Sequence, residues 1–208
     1  MQIKIFNDYL TTEDLEDLTS LNLEQVGSKN IRVYHNKINN DKVILNTCLN
    51  QELLKRLHKN YHEKALLLLK ELSPKKVDLY DYSEFHIVET GKSYVFPIHD
   101  DNPDKLLSGV IYLKPLNNLG TIFYSDKKGN NKNLVDWKIN RAVFFSRLEN
   151  KTWHSFQGDQ KTNRTVLVYN LMTNRLKEVY KAEGKNYLFG LLRKKINPTL
   201  HKYFRFTI

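Results

Sequence analysis

The pattern of apolar and polar positions changes character at Ser73-Pro74. Upstream, from about Leu49 to Leu72, apolar residues recur at intervals of one, three or four, which predicts one long helix with a broad apolar face. Pro74 ends that helix, and we expect the helix to pack against the outside of a sheet. The apolar positions are Leu53, Leu54, Leu57, Tyr61, Ala65, Leu68, Leu69 and Leu72.

Shorter elements are predicted before this helix. Residues 3–6 form a strand-like segment, and a helix is predicted from Thr12, with Thr11 or Thr12 as its cap and acidic residues in its first turn. Residues 27–47 are polar and contain two β-rich runs, Ile31–Tyr34 and Val43–Leu45. The first 76 residues are therefore interpreted as a mixed helical and β support for the remainder of the chain.

Downstream of Pro74 the chain consists of short runs rich in β-branched and aromatic residues, separated by Gly, Pro, Asn and Asp. Seven such runs favour an antiparallel sandwich or barrel over residues 77–172. Helical spacing returns from about Lys185, which predicts a helical extension over 173–208. The seven runs are Val77–Val88, Tyr94–Ile98, Ser108–Leu113, Gly120–Tyr124, Arg141–Ser146, Trp153–Phe156 and Thr165–Leu171.

Length and composition set limits on this picture. At 208 residues the chain fits one domain with a substantial core. Its single cysteine, Cys48, excludes an internal disulfide framework and favours a reducing cytoplasm. No apolar run approaches the roughly 20 residues of a membrane span, and the first residues lack the features of a signal peptide, so we expect the folded protein to start there.

A net charge of +10 raises the question of a nucleic-acid partner, because Lys and Arg neutralise phosphates. The excess is spread along the chain and forms no basic stripe with interleaved aromatic residues. A nucleic-acid partner is therefore possible but not favoured, and no membrane partner is indicated.

The first candidate metal ligands are His99 and Asp101. They are two positions apart in an extended segment, so their side chains point to the same side. Far downstream, His154 opens a later strand and Arg164 begins the next. Two imidazoles and one carboxylate can bind iron(II) from one side and leave three positions open. A guanidinium nearby could hold a carboxylate in bidentate fashion. Taken alone, His99 and Asp101 would be interpreted as the start of a surface turn, and His154 as a hydrogen-bonded strand residue. Arg164 alone would be interpreted as a surface charge.

These residues, in their order, resemble the iron(II)- and 2-oxoglutarate-dependent dioxygenases, especially the prolyl-4-hydroxylase-like branch. The resemblance covers roughly residues 77–172. It implies a mainly β fold with flanking helices, a double-stranded β-helix of the jelly-roll or cupin-like type. Besides the ligands, the segments that carry it are Lys105–Leu113, Leu119–Tyr124, Asn140–Phe145 and Thr152–Phe156.

Carried over by position, the resemblance implies that His99, Asp101 and His154 bind iron(II) and that Arg164 pairs with the distal carboxylate of 2-oxoglutarate. Tyr112 matches a tyrosine whose hydroxyl can hydrogen-bond the co-substrate, although a core aromatic residue explains it equally well. The implied reaction consumes O2, with ascorbate as a supporting reductant, and yields succinate and CO2. The primary substrate is expected to be a protein side chain or a small metabolite.

Two alternatives stay open. One is an oxidative demethylase of the same superfamily acting on nucleic acid, although the Arg-x-Asn-x-Thr-x-Arg run of base-repair oxygenases is not reproduced, with Val168 where we place its first arginine. The other is a metal-binding β-barrel without catalytic activity.

Several other residues are weighed and set lower. His58 and His62 have helical metal-site spacing but are interpreted as surface histidines. His86 could line the pocket, yet a buried, hydrogen-bonded histidine is the simpler interpretation. Asp100, between the proposed ligands, is expected to be solvated, and Asn170 ranks below Tyr112 as a co-substrate contact.

Overall fold

The computed structural model of the protein describes residues 2–188, 190–192 and 196. Twelve strands, three helices and one 3-10 helix (Pro74–Leu79) have bounds within these residues. The helices are α1 (Thr12–Thr19), α2 (Gln51–Leu72) and α3 (Leu176–Ala182). The strands are β1 (Lys4–Phe6), β2 (Ile31–Tyr34), β3 (Lys37–Asn39), β4 (Lys42–Leu45), β5 (Tyr82–Thr90), β6 (Val95–His99), β7 (Lys105–Lys114), β8 (Thr121–Phe123), β9 (Asn133–Val135), β10 (Ala142–Phe145), β11 (His154–Gln157) and β12 (Arg164–Met172).

The two predicted N-terminal helices, α1 and α2, each begin after a residue whose side chain caps the first turn. The Thr11 hydroxyl accepts a hydrogen bond from the Asp14 amide at 3.2 Å, and the Asn50 side chain accepts one from the Leu53 amide at 2.8 Å. Each cap satisfies an amide that has no partner within its helix. Thr11, rather than Thr12, is thus the cap of α1.

Two antiparallel sheets form the core. The large sheet has the order β1-β10-β7-β12-β5-β3-β4, with β2 also paired to β5, and the small sheet has the order β6-β11-β8-β9. From β5 to β12 the chain passes repeatedly between the two sheets, which is how a double-stranded β-helix is built. The predicted fold class, mainly β with flanking helices, is confirmed.

The two faces of the large sheet bury different partners, as β12 shows. Leu167, Tyr169 and Leu171 belong to a core shared with α1 and α2, which confirms that the long helix packs outside the sheet. Val166 alternates with them and belongs to a second core, where Phe123 and Val135 of the small sheet meet the large one. Strand alternation therefore separates a helix-covered face from a face that lines the cleft between the sheets.

The structure corrects several predicted elements. Residues 77–79 belong to the 3-10 helix, so the strand predicted from Val77 begins at Tyr82. Strands β3 and β9 were not predicted, because a strand of three residues is too short to give a recognisable alternating pattern. In the predicted C-terminal extension, α3 and the described residues from 187 to 196 are helical, whereas residues 189, 193–195 and 197–208 lie outside the described residues. Among the residues described, no helix is both long and apolar enough to cross a membrane.

Candidate active site

His99 ends β6 and His154 begins β11, and the two are directly opposite in the register of the small sheet. Their ring centroids are 4.1 Å apart. Each ring nitrogen Nδ1 faces the carbonyl oxygen two residues earlier, Pro97 for His99 at 3.0 Å and Thr152 for His154 at 2.8 Å. A proton on Nδ1 satisfies these carbonyls and leaves Nε2 free to bind a metal ion.

Asp101 completes the set. Its ligand atom and those of His99 and His154 all lie within 4.8 Å of one another. The carboxylate already attracts a cation, because the Lys105 ammonium lies 2.7 Å from Oδ1, while the Ser108 hydroxyl donates to Oδ2 at 2.6 Å. Two imidazole nitrogens and one carboxylate oxygen are a donor set suited to iron(II), so the residues present fit that metal.

The electrostatics favour the ligand forms of these side chains. Burial, followed by the nearby His154, lowers the pKa of His99 well below its ordinary value, so the ring is neutral at pH 7. Burial alone would raise the pKa of Asp101, but Lys105, His154 and His99 together bring it below its ordinary value. A neutral imidazole and an ionised carboxylate are the forms that bind metal.

Arg164 starts β12 at the other end of the cleft and is only 1% exposed. Its guanidinium carbon lies 4.5 Å from the ring centroid of Phe156, 5.1 Å from that of Trp137 and 5.9 Å from that of Tyr112. It donates one hydrogen bond, to the Leu119 carbonyl at 3.2 Å, and its Nε has no partner among the described residues.

The charge of Arg164 is thus buried without a carboxylate partner among the described residues. Burial lowers the pKa of Arg164 to about 10. A buried charge with unmet hydrogen-bonding capacity is costly unless a ligand supplies the missing partner. A carboxylate is the group that a guanidinium fork binds best, so this end of the cleft fits the distal end of a dicarboxylate such as 2-oxoglutarate.

Tyr112 lies in β7 beside Arg164, with its ring stacked on Trp137 at a centroid separation of 4.5 Å. Its hydroxyl donates to the Thr121 hydroxyl at 3.0 Å and accepts from the Thr121 amide at 2.9 Å. The ring therefore forms part of the wall around the guanidinium, and the role of the hydroxyl toward a co-substrate stays a prediction.

Asp100 was expected to be solvated, but it is half-buried and its carboxylate is hydrogen-bonded within the protein. Its carboxylate accepts from the Asn150 amide at 2.8 Å and from the Thr152 hydroxyl. Thr152 is also the residue whose carbonyl orients His154. Asp100 consequently ties the segment that carries His99 and Asp101 to the segment that carries His154.

A second anchor holds the same loop from the C-terminal side. The Arg147 Nε donates to the carbonyl of Asp101 at 3.2 Å. The Arg147 guanidinium also makes a bidentate pair with Glu183, which follows α3, at 2.9 and 2.7 Å. Glu183 in turn binds the buried Lys76 ammonium at 2.7 Å. Segments far apart in the sequence therefore fix the backbone next to a proposed ligand.

The remaining candidates lie in three different environments. His58 is buried in the helix core, not on the surface, and stacks on His62 at 4.4 Å because α2 packs that face inward. His86 is buried and hydrogen-bonded, with its Nε2 3.0 Å from Glu84, as the simpler interpretation predicted. Asn170 is buried on the cleft side of β12, and neither polar atom of its side chain has a partner among the described residues.

Sequence reasoning missed the aromatic wall and the loop anchors. Trp137 lies in the connection between β9 and β10, and Arg147 and Glu183 are ordinary charged residues in the sequence. Nothing in their local pattern distinguishes them from surface residues. Phe156 could have been found, because it lies on the same predicted strand as His154.

No protein-family model matches the sequence, and no curated protein matches it. Solved structures do. An oxidoreductase of the 2OG-Fe(II) oxygenase family from Burkholderia pseudomallei superposes with a TM-score of 0.56 at 14% identity, covering 82% of this chain and 84% of the other. A prolyl hydroxylase from Trichoplax adhaerens, solved with a peptide of hypoxia inducible factor, gives 0.55 at 13% identity, covering 84% and 85%.

A third similar structure is a dioxygenase for auxin oxidation from Arabidopsis thaliana in complex with 2-oxoglutarate, with a TM-score of 0.52 at 15% identity, covering 82% of this chain and 83% of that one. At these identities the likeness is one of fold. The chain therefore has the fold of the 2-oxoglutarate-dependent iron oxygenases, including prolyl hydroxylases, which the sequence resemblance predicted.

Proposed function

We propose that this protein is an iron(II)- and 2-oxoglutarate-dependent dioxygenase that hydroxylates a protein side chain or a small metabolite. One observation carries the proposal. His99, Asp101 and His154 converge in the same cleft in which Arg164 is buried, with no carboxylate partner in the part of the chain that the structure describes. The fold alone would not support the proposal, since one fold serves many functions.

The proposed reaction balances as substrate C–H plus 2-oxoglutarate plus O2, giving substrate C–OH, succinate and CO2. Iron held by His99, Asp101 and His154 would supply the activation of dioxygen, which side chains alone cannot perform. O2 and 2-oxoglutarate are accordingly the proposed co-substrates, with ascorbate as a supporting reductant.

The side chains of the chain itself bind and orient. Arg164 provides the cationic end of the co-substrate site, and its walls of Phe156 and Trp137 exclude water. In such a dry environment the attraction between guanidinium and carboxylate is stronger than in water. Tyr112 is proposed as a further co-substrate contact, through its ring or its hydroxyl.

The ligand segments are held in place before a metal arrives. The carbonyl oxygens of Pro97 and Thr152 fix the two imidazoles, and Asp100 links their segments. Outer contacts of this kind support metal affinity, because ligands that are already oriented lose less entropy on binding.

We further propose that the chain works in the cytoplasm as one oxygenase domain, with residues 1–76 as N-terminal support, 77–172 as the β-helix core and 173–208 as a C-terminal extension. The lone cysteine, Cys48, supports the location, since structural disulfides are not needed. The packing of α1 and α2 against the large sheet supports the single domain.

The direct test measures succinate formation from 2-oxoglutarate with iron(II), O2 and ascorbate. Asp101→Ala and His99→Ala are expected to lower turnover by at least about 100-fold, because each removes one of three ligands. In parallel, calorimetry with Mn(II) measures metal binding without turnover. His62→Ala on the helix-covered side is the control and should behave as wild type. Undiminished turnover in Asp101→Ala would overturn the proposal.

A further inference from the structure

A row of polar side chains crosses the large sheet at the end of the cleft near the metal ligands. Asn170 of β12 is directly opposite Ser108 of β7 on one side and Glu84 of β5 on the other, and Glu84 is opposite Lys37 of β3. Directly opposed residues on antiparallel strands have Cβ atoms about 4.5–5.5 Å apart. These four residues therefore form a continuous strip, which we name the mouth row.

Asn170 is the exception within the mouth row. Ser108 donates to Asp101, and Glu84 pairs with both Lys37 at 2.9 Å and His86 at 3.0 Å. Asn170 is only 1% exposed, and both its Oδ1 and its Nδ2 are without a hydrogen-bond partner among the described residues. A buried polar group left unpaired costs about 1–3 kcal/mol, so a carboxamide kept in this state suggests that a ligand completes its bonds.

The position of Asn170 indicates which ligand that is. Its neighbour Ser108 is bonded to the proposed metal ligand Asp101 at 2.6 Å. Arg164 lies six residues earlier on the same face of β12, about 20 Å away between Cα atoms at the rise of an extended strand. The two unpaired groups thus lie at opposite ends of the cleft. The co-substrate end is at Arg164, and the other end is where a substrate C–H bond must approach the metal.

The charges of the mouth row indicate an uncharged ligand group. Glu84 is ionised: burial would raise its pKa, but His86 and Lys37 bring the pKa down to about 2. Its charge is compensated by Lys37, and the Lys105 charge by Asp101. An anionic ligand would be repelled by Glu84, and a cationic ligand would be repelled by Lys37 and Lys105. A neutral group avoids both repulsions.

On the premise of the oxygenase function proposed above, we propose that the mouth row, with Asn170 at its centre, recognises the primary substrate through a flat, uncharged group that carries a hydrogen-bond donor and an acceptor side by side. A carboxamide offers one acceptor oxygen and two donor hydrogens, so it pairs in two bonds with such a group. A primary carboxamide and the edge of a nucleobase both have this chemistry.

Two matched probe pairs separate these sources. N-acetyl-asparagine N-methylamide is compared with its leucine analogue, and adenosine with purine riboside, which lacks the exocyclic amine. Each probe is tested for stimulation of succinate formation and, by calorimetry, for binding to the full-length protein. We expect the first member of one pair to bind and stimulate about 10-fold more strongly than its analogue, because sites built for hydrogen bonds reject groups that lack them.

Asn170→Asp keeps the shape of the side chain and replaces its donor with an acceptor. This substitution is expected to weaken binding of the effective probe by about 10-fold or more and to remove the stimulation. Asn186→Asp is the matched control. Asn186 is exposed and its side-chain oxygen accepts from the Leu188 amide, a role that aspartate keeps.

The outcomes distinguish the two proposals. Probe binding that is lost in Asn170→Asp, in a protein without any turnover of 2-oxoglutarate, would support the mouth row as a binding site and overturn the oxygenase function. Turnover with no preference within either pair would overturn the mouth row alone. So would a higher KM for 2-oxoglutarate in Asn170→Asp with stimulation retained, since that result assigns Asn170 to the co-substrate.

Discussion

The two faces of the large sheet are made by the same strands but follow different rules. On the helix-covered face, Leu167, Tyr169 and Leu171 of β12 are packed into an apolar core with α1 and α2, where the Tyr169 hydroxyl also has no hydrogen-bond partner among the described residues. On the cleft face of the same strand, Arg164 and Asn170 are equally buried yet have polar atoms without partners among the described residues. Buried side chains therefore mainly stabilise the fold on the helix-covered face, whereas on the cleft face they include polar groups available to a ligand. Substitutions in β12 can distinguish effects on stability from effects on ligand binding.

Arg164→Leu should give the largest difference between the effect on co-substrate binding and the effect on stability. We expect it to raise the KM for 2-oxoglutarate on the order of 100-fold, because the co-substrate carboxylate loses its charged partner. The same change should increase the free energy of unfolding by about 1–3 kcal/mol, since it removes an unpaired buried charge. Steady-state kinetics and urea unfolding measure the two effects. Arg32→Gln, at the exposed ion pair with Glu24, is the control. A loss of stability in Arg164→Leu would contradict the comparison.

Leu167→Ala tests the opposite face at a position three residues away. It should lower the free energy of unfolding by about 2–5 kcal/mol, because a fully buried leucine leaves a cavity. Turnover per folded molecule should stay at the wild-type value. Val168→Ala is the matched variant, since Val168 is half-buried and faces the cleft. If Leu167→Ala altered the KM for 2-oxoglutarate more than Val168→Ala did, the faces would not be independent.

The division between the faces could be predicted from the sequence, because alternation along β12 and helical periodicity in α2 are both local patterns. The ligands His99, Asp101 and His154 were predicted from spacing and resemblance, and the structure brings them together. Asp100 was expected to be solvated, and its hydrogen bonds were not predicted. Its partners, Asn150 and Thr152, are distant in the sequence, and hydrogen bonds across loops leave no periodic signal. Trp137 and Arg147 were missed for the same reason, since their contacts are also with residues distant in the sequence.

Asp100→Asn should have a smaller effect than loss of a metal ligand. The amide keeps the shape but weakens the bonds from Asn150 and Thr152, so the segments of the two histidines are less well held. We expect Mn(II) affinity to fall by about 10-fold, within the range for outer contacts of metal sites. Calorimetry measures this, and Asp41→Asn, on an exposed turn, is the control. Unchanged affinity would show that the link does not position the ligands.

The smallest expected effect is a pH dependence on the helix-covered face. Burial, followed by the neighbouring His62, lowers the pKa of His58 from 6.5 to about 4. The unfolded chain therefore takes up a proton below pH 6.5 that the folded protein refuses until about pH 4, so this group makes stability fall as the pH drops through that window. Urea unfolding at pH 7 and pH 5 should show a smaller fall in His58→Gln than in wild type. An equal fall in both would locate the pH dependence elsewhere.

The anchoring of the Asp101 backbone through Arg147 and Glu183 bears on the order of events during synthesis. Glu183 follows α3 and emerges from the ribosome after every proposed ligand has already done so. Chains fold from the N-terminal side as they are made, so the loop at Asp101 lacks its final restraint until the segment that follows α3 has been synthesised. Tight loading with metal is then an event that follows synthesis of Glu183, not of the ligands alone.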